Sequence, residues 1–317
     1  MKPVPIGVRA HTAALRGVIA ATVTPLCADL TPDLGEAARH CRRLLDAGCD
    51  GVAPIGSVGE GPSLSVAERV ALLDALAEGG VPPEKVLPET GCCALPDTIE
   101  LSRRAVDLGM AGVMIVPPYF YKDVTDEGLF DYYARVIDAV GRNRLRLYLF
   151  DFGRVTGVPL TVAWIQKLME RFPGLVVGLK GGGNDIGSMG LLIRELEGVA
   201  VYTGWERLLS ENLALGGAGG LSATTNLTAP VAATVRDAHR DGHVRRAEDA
   251  QKILTAAADA ITGRGAYAAV KAILAQWTGQ PAWRLVRPPL TPLDTVETQK
   301  LKADLAVLGL WSLEQRL

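Results

Sequence analysis

Lys180 is the residue whose position offers the most chemistry. It closes the apolar run Leu175-Val176-Val177-Gly178-Leu179 and precedes Gly181-Gly182-Gly183. Such a run reads as a strand buried on both faces. An ammonium at the inner end of that strand is costly to keep charged. Burial lowers its pKa, and a neutral amine is a nucleophile toward carbonyl carbon. The plainer alternative is a rim lysine whose stem is buried and whose head reaches water. Position alone leaves both open.

A second candidate is the turn Gly56-Ser57-Val58-Gly59-Glu60-Gly61, which follows another apolar run. Consecutive backbone N–H groups in a tight turn can hold a carboxylate without a cation, and Ser57 adds a hydroxyl. The competing reading is an ordinary turn in which Gly59 serves its backbone angles. The three glycines after Lys180 read either as a phosphate cradle or as a loop kept open for a ligand. Tyr119-Phe120-Tyr121 is an aromatic stop after a strand, there for packing or for the site. Asp151 and Arg154 stand three apart beyond Phe150, as a structural pair or as ligand contacts. His11, His40, His239 and His243 fall outside every strand end and make no metal-ligand spacing with a carboxylate, so no metal site is expected.

These candidates need elements to hold them. Apolar runs at 18–25, 52–56, 86–91, 112–117, 145–152, 175–180, 199–204 and 219–224 are bounded by Gly or Pro. Between them lie helical patterns that mostly stop at glycine, the residue suited to a left-handed cap. Ser65 with Glu68 three residues on is a capping-box pattern. Eight strands alternating with eight helices over about 240 residues is the order and size of a (β/α)8 barrel. Active sites of such barrels gather at the C-terminal strand ends, where all the candidates stand. A doubly wound sheet is the runner-up. It would favour a phosphate-binding glycine motif after the first strand, and Thr24-Pro25-Leu26 carries none. The expected organisation is an N-terminal extension at 1–16, the barrel at 17–242 and a helical region at 243–317 with no strands of its own.

Composition narrows the function classes. The 317 residues carry 33 Lys and Arg against 35 Asp and Glu, a net charge of −2, so no basic excess is present for nucleic acid. The 48% hydrophobic content excludes a disordered chain. Cys27, Cys41, Cys49, Cys92 and Cys93 are odd in number and lack a CxxC spacing, which fits buried thiols in a reducing compartment rather than disulfides or zinc. The N-terminus lacks the apolar core of a secretory signal, and no uncharged apolar run is long enough to span a membrane. A cytoplasmic protein, binding neither nucleic acid nor membrane, is expected.

Taken together, certain segments resemble one family. They are Gly17-Val18-Ile19-Ala20-Ala21-Thr22-Val23-Thr24-Pro25, Gly56-Ser57-Val58-Gly59-Glu60, Pro117-Pro118-Tyr119-Phe120, Gly178-Leu179-Lys180 and Leu215-Gly216-Gly217-Ala218-Gly219-Gly220-Leu221-Ser222. Their order and spacing resemble the dihydrodipicolinate synthase / N-acetylneuraminate lyase family, from about Gly17 to Asn226. The resemblance implies a barrel with three C-terminal helices, often assembled as a tetramer. It implies a Schiff base between Lys180 and pyruvate or another 2-oxo acid, with no cofactor. The substrate carboxylate would rest on the Ser57 and Val58 amides, with Gly59, Phe150, Arg154, Gly181 and Ser222 as further binding residues.

The chain also departs from the family pattern. Where members carry a proton-shuttle tyrosine at the end of strand five, Phe150 stands. The second relay tyrosine aligns with Phe120, so Tyr119 or Tyr121 is the expected substitute. Val58 replaces a second hydroxyl in the turn. Arg154 lies one residue before the position of the synthases' carboxylate-binding arginine. Phenylalanine moves no proton, which speaks against dihydrodipicolinate synthesis itself. The expectation is a 2-oxo-acid lyase or aldolase acting through Lys180, Ser57 and Tyr119 or Tyr121. The alternative is a family member with weakened turnover that binds a 2-oxo acid or regulates.

Overall fold

Seven parallel strands curl into one sheet, side by side in the order Gly51–Ala53, Gly17–Ala21, Gly219–Ser222, Ala200–Thr203, Val176–Lys180, Leu147–Phe150 and Val113–Ile115. The computed structural model describes residues 14–181 and 185–311. The extension before residue 14, His11, Gly182, Gly183 and the chain beyond 311 lie outside the described residues.

In chain order the elements are β1 (Gly17–Ala21), α1 (Leu34–Asp46), β2 (Gly51–Ala53), α2 (Val66–Glu78), α3 (Leu95–Asp107), β3 (Val113–Ile115) and α4 (Asp126–Val140). They continue with β4 (Leu147–Phe150), the short α5 (Gly153–Thr156), α6 (Val162–Arg171), β5 (Val176–Lys180), α7 (Ile186–Glu195), β6 (Ala200–Thr203), α8 (Leu209–Ala214), β7 (Gly219–Ser222) and α9 (Thr225–Arg240). The tail follows as α10 (Val244–Thr262), α11 (Ala266–Thr278) and α12 (Thr295–Val307).

The expected strand at 86–91 joins the ring as isolated bridges. Val86 pairs with Val52 and Glu89 with Met114, both in parallel. Pro88 has no N–H to donate, so this segment cannot form a continuous ladder. It still links the two edges of the sheet: Leu87 N donates to Val52 O, and Met114 N donates to Pro88 O. The result is a closed (β/α)8 ring.

Local signals set several helix starts. Asp33, Ser65, Thr125, Thr161 and Asp185 cap α1, α2, α4, α6 and α7 through their side chains, and Ser65 with Glu68 closes the capping box. Helix α9 starts at Thr225, with Pro230 inside it. Pro230 reads as a helix start, yet Asn226 is already helical, fixed by bonds to Ala21 O, Val23 N and His40. Tertiary contacts override the local signal there.

Two apolar layers result. One lies between strands and outer helices, with Leu44, Leu73, Ile115, Leu147 and Leu179 fully buried. The other fills the barrel and continues under the tail, joining Ile19, Leu87, Tyr148 and Phe150 to Ile261, Ile273 and Trp283. Tyr148 and Tyr202 close the floor, their rings 6.2 Å apart. Tyr148 Oη accepts from Leu15 N, and Tyr202 Oη donates to Leu15 O. Gly178 must be small, because a β-carbon there would stand 2.3 Å from the Tyr148 ring.

Candidate active site

Above that floor opens a cavity of about 410 Å³. Lys180 ends β5 in register with Phe150 of β4 and Tyr202 of β6. It is only 8% exposed and lines the cavity. Its Nζ stands 4.1 Å from the Phe150 ring centroid. Burial pushes the amine down to about 8, and the Glu89 carboxylate opposes that shift. Of the two readings of Lys180, the structure shows the buried lysine and not the rim lysine.

The turn after β2 is held from several sides. Ile55 and Glu60 adopt φ of 57°, in the left-handed region. Gly59 does not carry this conformation; it is glycine for closeness, since a β-carbon would meet Thr22 O at 2.8 Å. Thr24 Oγ1 donates to Gly59 O at 2.7 Å. Glu60 is locked by Lys271 Nζ at 2.6 Å and by Arg287 N at 2.7 Å. Ser57 and Val58 line the cavity, whereas Gly59 packs against the end of β1.

Residues expected after β3 and β4 separate into two groups. Phe150, Arg154, Gly181 and Ser222 line the cavity with Lys180. Tyr119 and Tyr121 do not. Tyr121 is 72% exposed and packs edge-on against the equally exposed Phe120 at 5.2 Å. Tyr119 packs beside Cys92 and Cys93, where burial raises its phenol. Neither tyrosine lines the cavity with the lysine: Phe120 and Tyr121 turn outward to solvent, and Tyr119 stays half-buried against the barrel-interior core. Nor do Asp151 and Arg154 pair. Asp151 Oδ1 accepts from Gly153 N and Leu160 N and so shapes the loop, with its carboxyl raised by burial. Arg154 lies between two rings, 5.2 Å from Phe152 and 5.1 Å from Trp205. Phe152 stacks on Phe150 at 5.0 Å.

Several site residues were not singled out by the sequence. Glu206 is buried beside the cavity and accepts from the hydroxyls of Thr224, Thr225 and Thr228. Burial raises its carboxyl and those three donors oppose the rise. Thr224 in turn bonds Ser222 at 3.0 Å. Tyr267, Ala258 and Thr262 bring the tail helices into the cavity wall. Glu89, in the bridging segment, is 6% exposed. Burial raises its carboxyl, while Lys180, Arg69 and a hydrogen bond from the Ser57 amide pull it down. The strand-end rule that selected Lys180 selects Glu89 too, since it is a charged residue closing an apolar run. Trp205 and Tyr267 carry no comparable local signal.

A buried amine of lowered pKa facing a cavity can add to a carbonyl group. Among the described residues no group of three or more His, Cys, Asp or Glu gathers in a metal-binding cluster, and no helix is long and apolar enough to cross a membrane.

The dihydrodipicolinate synthetase family model matches residues 14–308. An uncharacterised DapA-like lyase of Chloroflexus aurantiacus is 36% identical, covering 91% of this chain and 95% of the relative. The 4-hydroxy-tetrahydrodipicolinate synthase 2 of Streptomyces coelicolor is 34% identical over 92% and 95%. Among solved structures, YagE of Escherichia coli K12, a dihydrodipicolinic acid synthase family protein in complex with pyruvate, superposes with a TM-score of 0.86 at 28% identity. The match covers 94% of this chain and all of that one, or 100%.

Proposed function

The chain belongs to the dihydrodipicolinate synthetase family, and from that premise we propose that it makes or breaks a carbon–carbon or carbon–oxygen bond in a 2-oxo acid through a Schiff base on Lys180. One observation carries the reading: Lys180 is buried at the end of β5, faces the cavity and has its amine pushed down to about 8. A neutral amine attacks C2 of the oxo acid, and the iminium that follows draws electrons from C3, where cleavage, condensation or dehydration begins. Ser57 and Val58 receive the carboxylate at the turn after β2. The Ser57 hydroxyl has no protein partner among the described residues and is free for the ligand. Arg154 meets the distal end of the substrate. The protein works in the cytoplasm as an oligomer of its own chain.

The test is incubation with a panel of 2-oxo acids, borohydride reduction and intact-mass measurement. A pyruvyl adduct mapped to Lys180 and absent from Lys180→Ala supports the reading. No adduct with any 2-oxo acid overturns it. A second reading, a 2-oxo-acid binding or regulatory protein, rests on Phe150, which puts a ring without a hydroxyl against Lys180. Trapping without exchange of the C3 protons would select it.

A further inference from the structure

A Schiff-base enzyme must move protons at the adduct, and the cavity lacks the expected carrier. Phe150 has no hydroxyl, Tyr121 is turned to solvent, and Tyr119 packs beside Cys92 and Cys93. Glu89 does not line the cavity itself; it stands buried behind the turn that brings Ser57 to the cavity, and its carboxylate acts on the Lys180 amine. Leu87 points into the barrel with Tyr148 and Phe150. Side chains two apart on an extended segment share a face, so Glu89 points inward too, at the C-terminal end of the ring.

Its surroundings are closely fitted. A β-carbon on Gly56 would stand 2.5 Å from Glu89 Oε2, so the turn leaves room for the carboxyl only because residue 56 is glycine. The Ser57 amide donates to that carboxyl, and Ser57 itself faces the cavity. The backbone is pinned by Glu89 N to Pro54 O at 3.1 Å and by Arg69 Nη2 to Glu89 O at 2.9 Å. The Glu89 carboxylate acts on the Lys180 amine, opposing the effect of burial. Burial favours its neutral acid form, as a proton donor in this place requires.

We infer that Glu89 is the proton carrier of the Lys180 adduct, standing in for the tyrosine that Phe150 replaces; this rests on the Schiff-base reading above. The neutral amine adds to C2, the carbonyl π pair moves to oxygen, and the amine proton passes to that oxygen to give a neutral carbinolamine. Glu89 as the acid gives its proton to the carbinolamine hydroxyl. The C–O bond breaks, water leaves, and the nitrogen lone pair forms the C=N bond. Iminium and carboxylate are then created together, as a neutralising pair in a poorly solvated space. The carboxylate next takes a proton from C3. The C–H pair becomes the C2–C3 double bond, and the C=N π pair returns to nitrogen. No oxidant or further reactant is needed.

The experiment compares wild type and Glu89→Gln by two readouts. These are borohydride trapping of pyruvate at Lys180 and exchange of pyruvate C3 hydrogen for deuterium from solvent. A placed acid–base group contributes about 10²–10⁴-fold, so Glu89→Gln should lose exchange by about that factor. Glu89→Asp, which keeps a shortened carboxyl, should recover part of it. Exchange in Glu89→Gln within about threefold of wild type overturns the inference while leaving the Schiff base intact. Trapping should slow as well, since Glu89 also expels the carbinolamine water; exchange that returns to the wild-type rate once trapping has reached its wild-type end point overturns the inference, marking a residue that serves only Schiff-base formation. If wild type traps no 2-oxo acid, both readings fall. Should Glu89→Gln not fold, wild type alone decides by infrared difference spectroscopy. Iminium formation should bleach a protonated-carboxyl band and raise a carboxylate band; their absence overturns the inference.

Discussion

Lys180 and Lys271 are both buried lysines whose electrostatic partner is a glutamate, and both have their amines pushed down by burial. Their settings differ. Lys271, on α11, is wholly enclosed and bonds Glu60 directly at 2.6 Å. Lys180 rests on the Phe150 ring and has no carboxylate within ion-pair distance among the described residues. The first pair couples the tail to the turn that presents Ser57 and Val58, and its charges are spent on each other. The second lysine keeps an uncommitted nitrogen beside an open cavity. Burial alone does not make a lysine a nucleophile; burial without a bonded partner, facing space for a carbonyl, does.

Removing each lysine in turn gives the sharpest test of that contrast. Lys180→Met should abolish trapping, while Lys271→Met should leave a trappable amine. Stability should move the opposite way. Breaking a buried ion pair by deleting one partner costs about 3–5 kcal/mol, so Lys271→Met should lower the denaturant midpoint strongly, and adding Glu60→Gln should restore part of it. An unchanged midpoint in Lys271→Met would remove the structural half of the comparison.

Lys180→Met should instead stabilise the fold at neutral pH. The folded-state amine sits at about 8, against about 10.4 for an unperturbed lysine. The cost of holding the charged form is therefore full below about pH 8 and gone above about pH 10.4. At roughly 1.4 kcal/mol per tenfold change in proton affinity, the gain reaches up to about 3 kcal/mol at pH 7. Urea unfolding of both proteins at pH 7 and pH 10.5 measures it. A gain of equal size at both pH values would mean that better packing, not a desolvated charge, is the cause.

The trapping rate carries the same information on a smaller scale. Only the neutral amine attacks, so below a pKa of about 8 the rate should rise roughly tenfold per pH unit and level off above it. A rise continuing past pH 10 would return Lys180 to an ordinary lysine.

Phe150→Tyr should have the smallest effect. With Glu89 moving the proton, a new hydroxyl beside Lys180 should raise C3 exchange less than about tenfold, well under the 10²–10⁴ of a placed group. A buried hydroxyl without a partner costs about 1–3 kcal/mol, so the melting temperature should fall slightly. An exchange gain of about 100-fold or more would show that the position had lacked its proton carrier.

Much of this was legible in the chain. The apolar runs and glycine stops specify the barrel, because strand burial and helix capping are local signals. Lys180 stands out because a charge closing an apolar run is costly whatever surrounds it. Glu89 obeys the same rule, but Pro88 beside it weakens the strand that would have drawn notice.

What the sequence determined by itself is therefore the ring of elements and the placing of a lysine at the buried end of β5. What only the tertiary structure decided is which partners each buried charge meets. Lys271 finds Glu60 across 211 residues, Arg154 comes to lie between Phe152 and Trp205, and the aromatic stop after β3 turns outward. A side chain's pKa and reactivity depend on what stands within a few ångströms. In a closed barrel those neighbours come from strands far apart in the chain, so no local pattern encodes them.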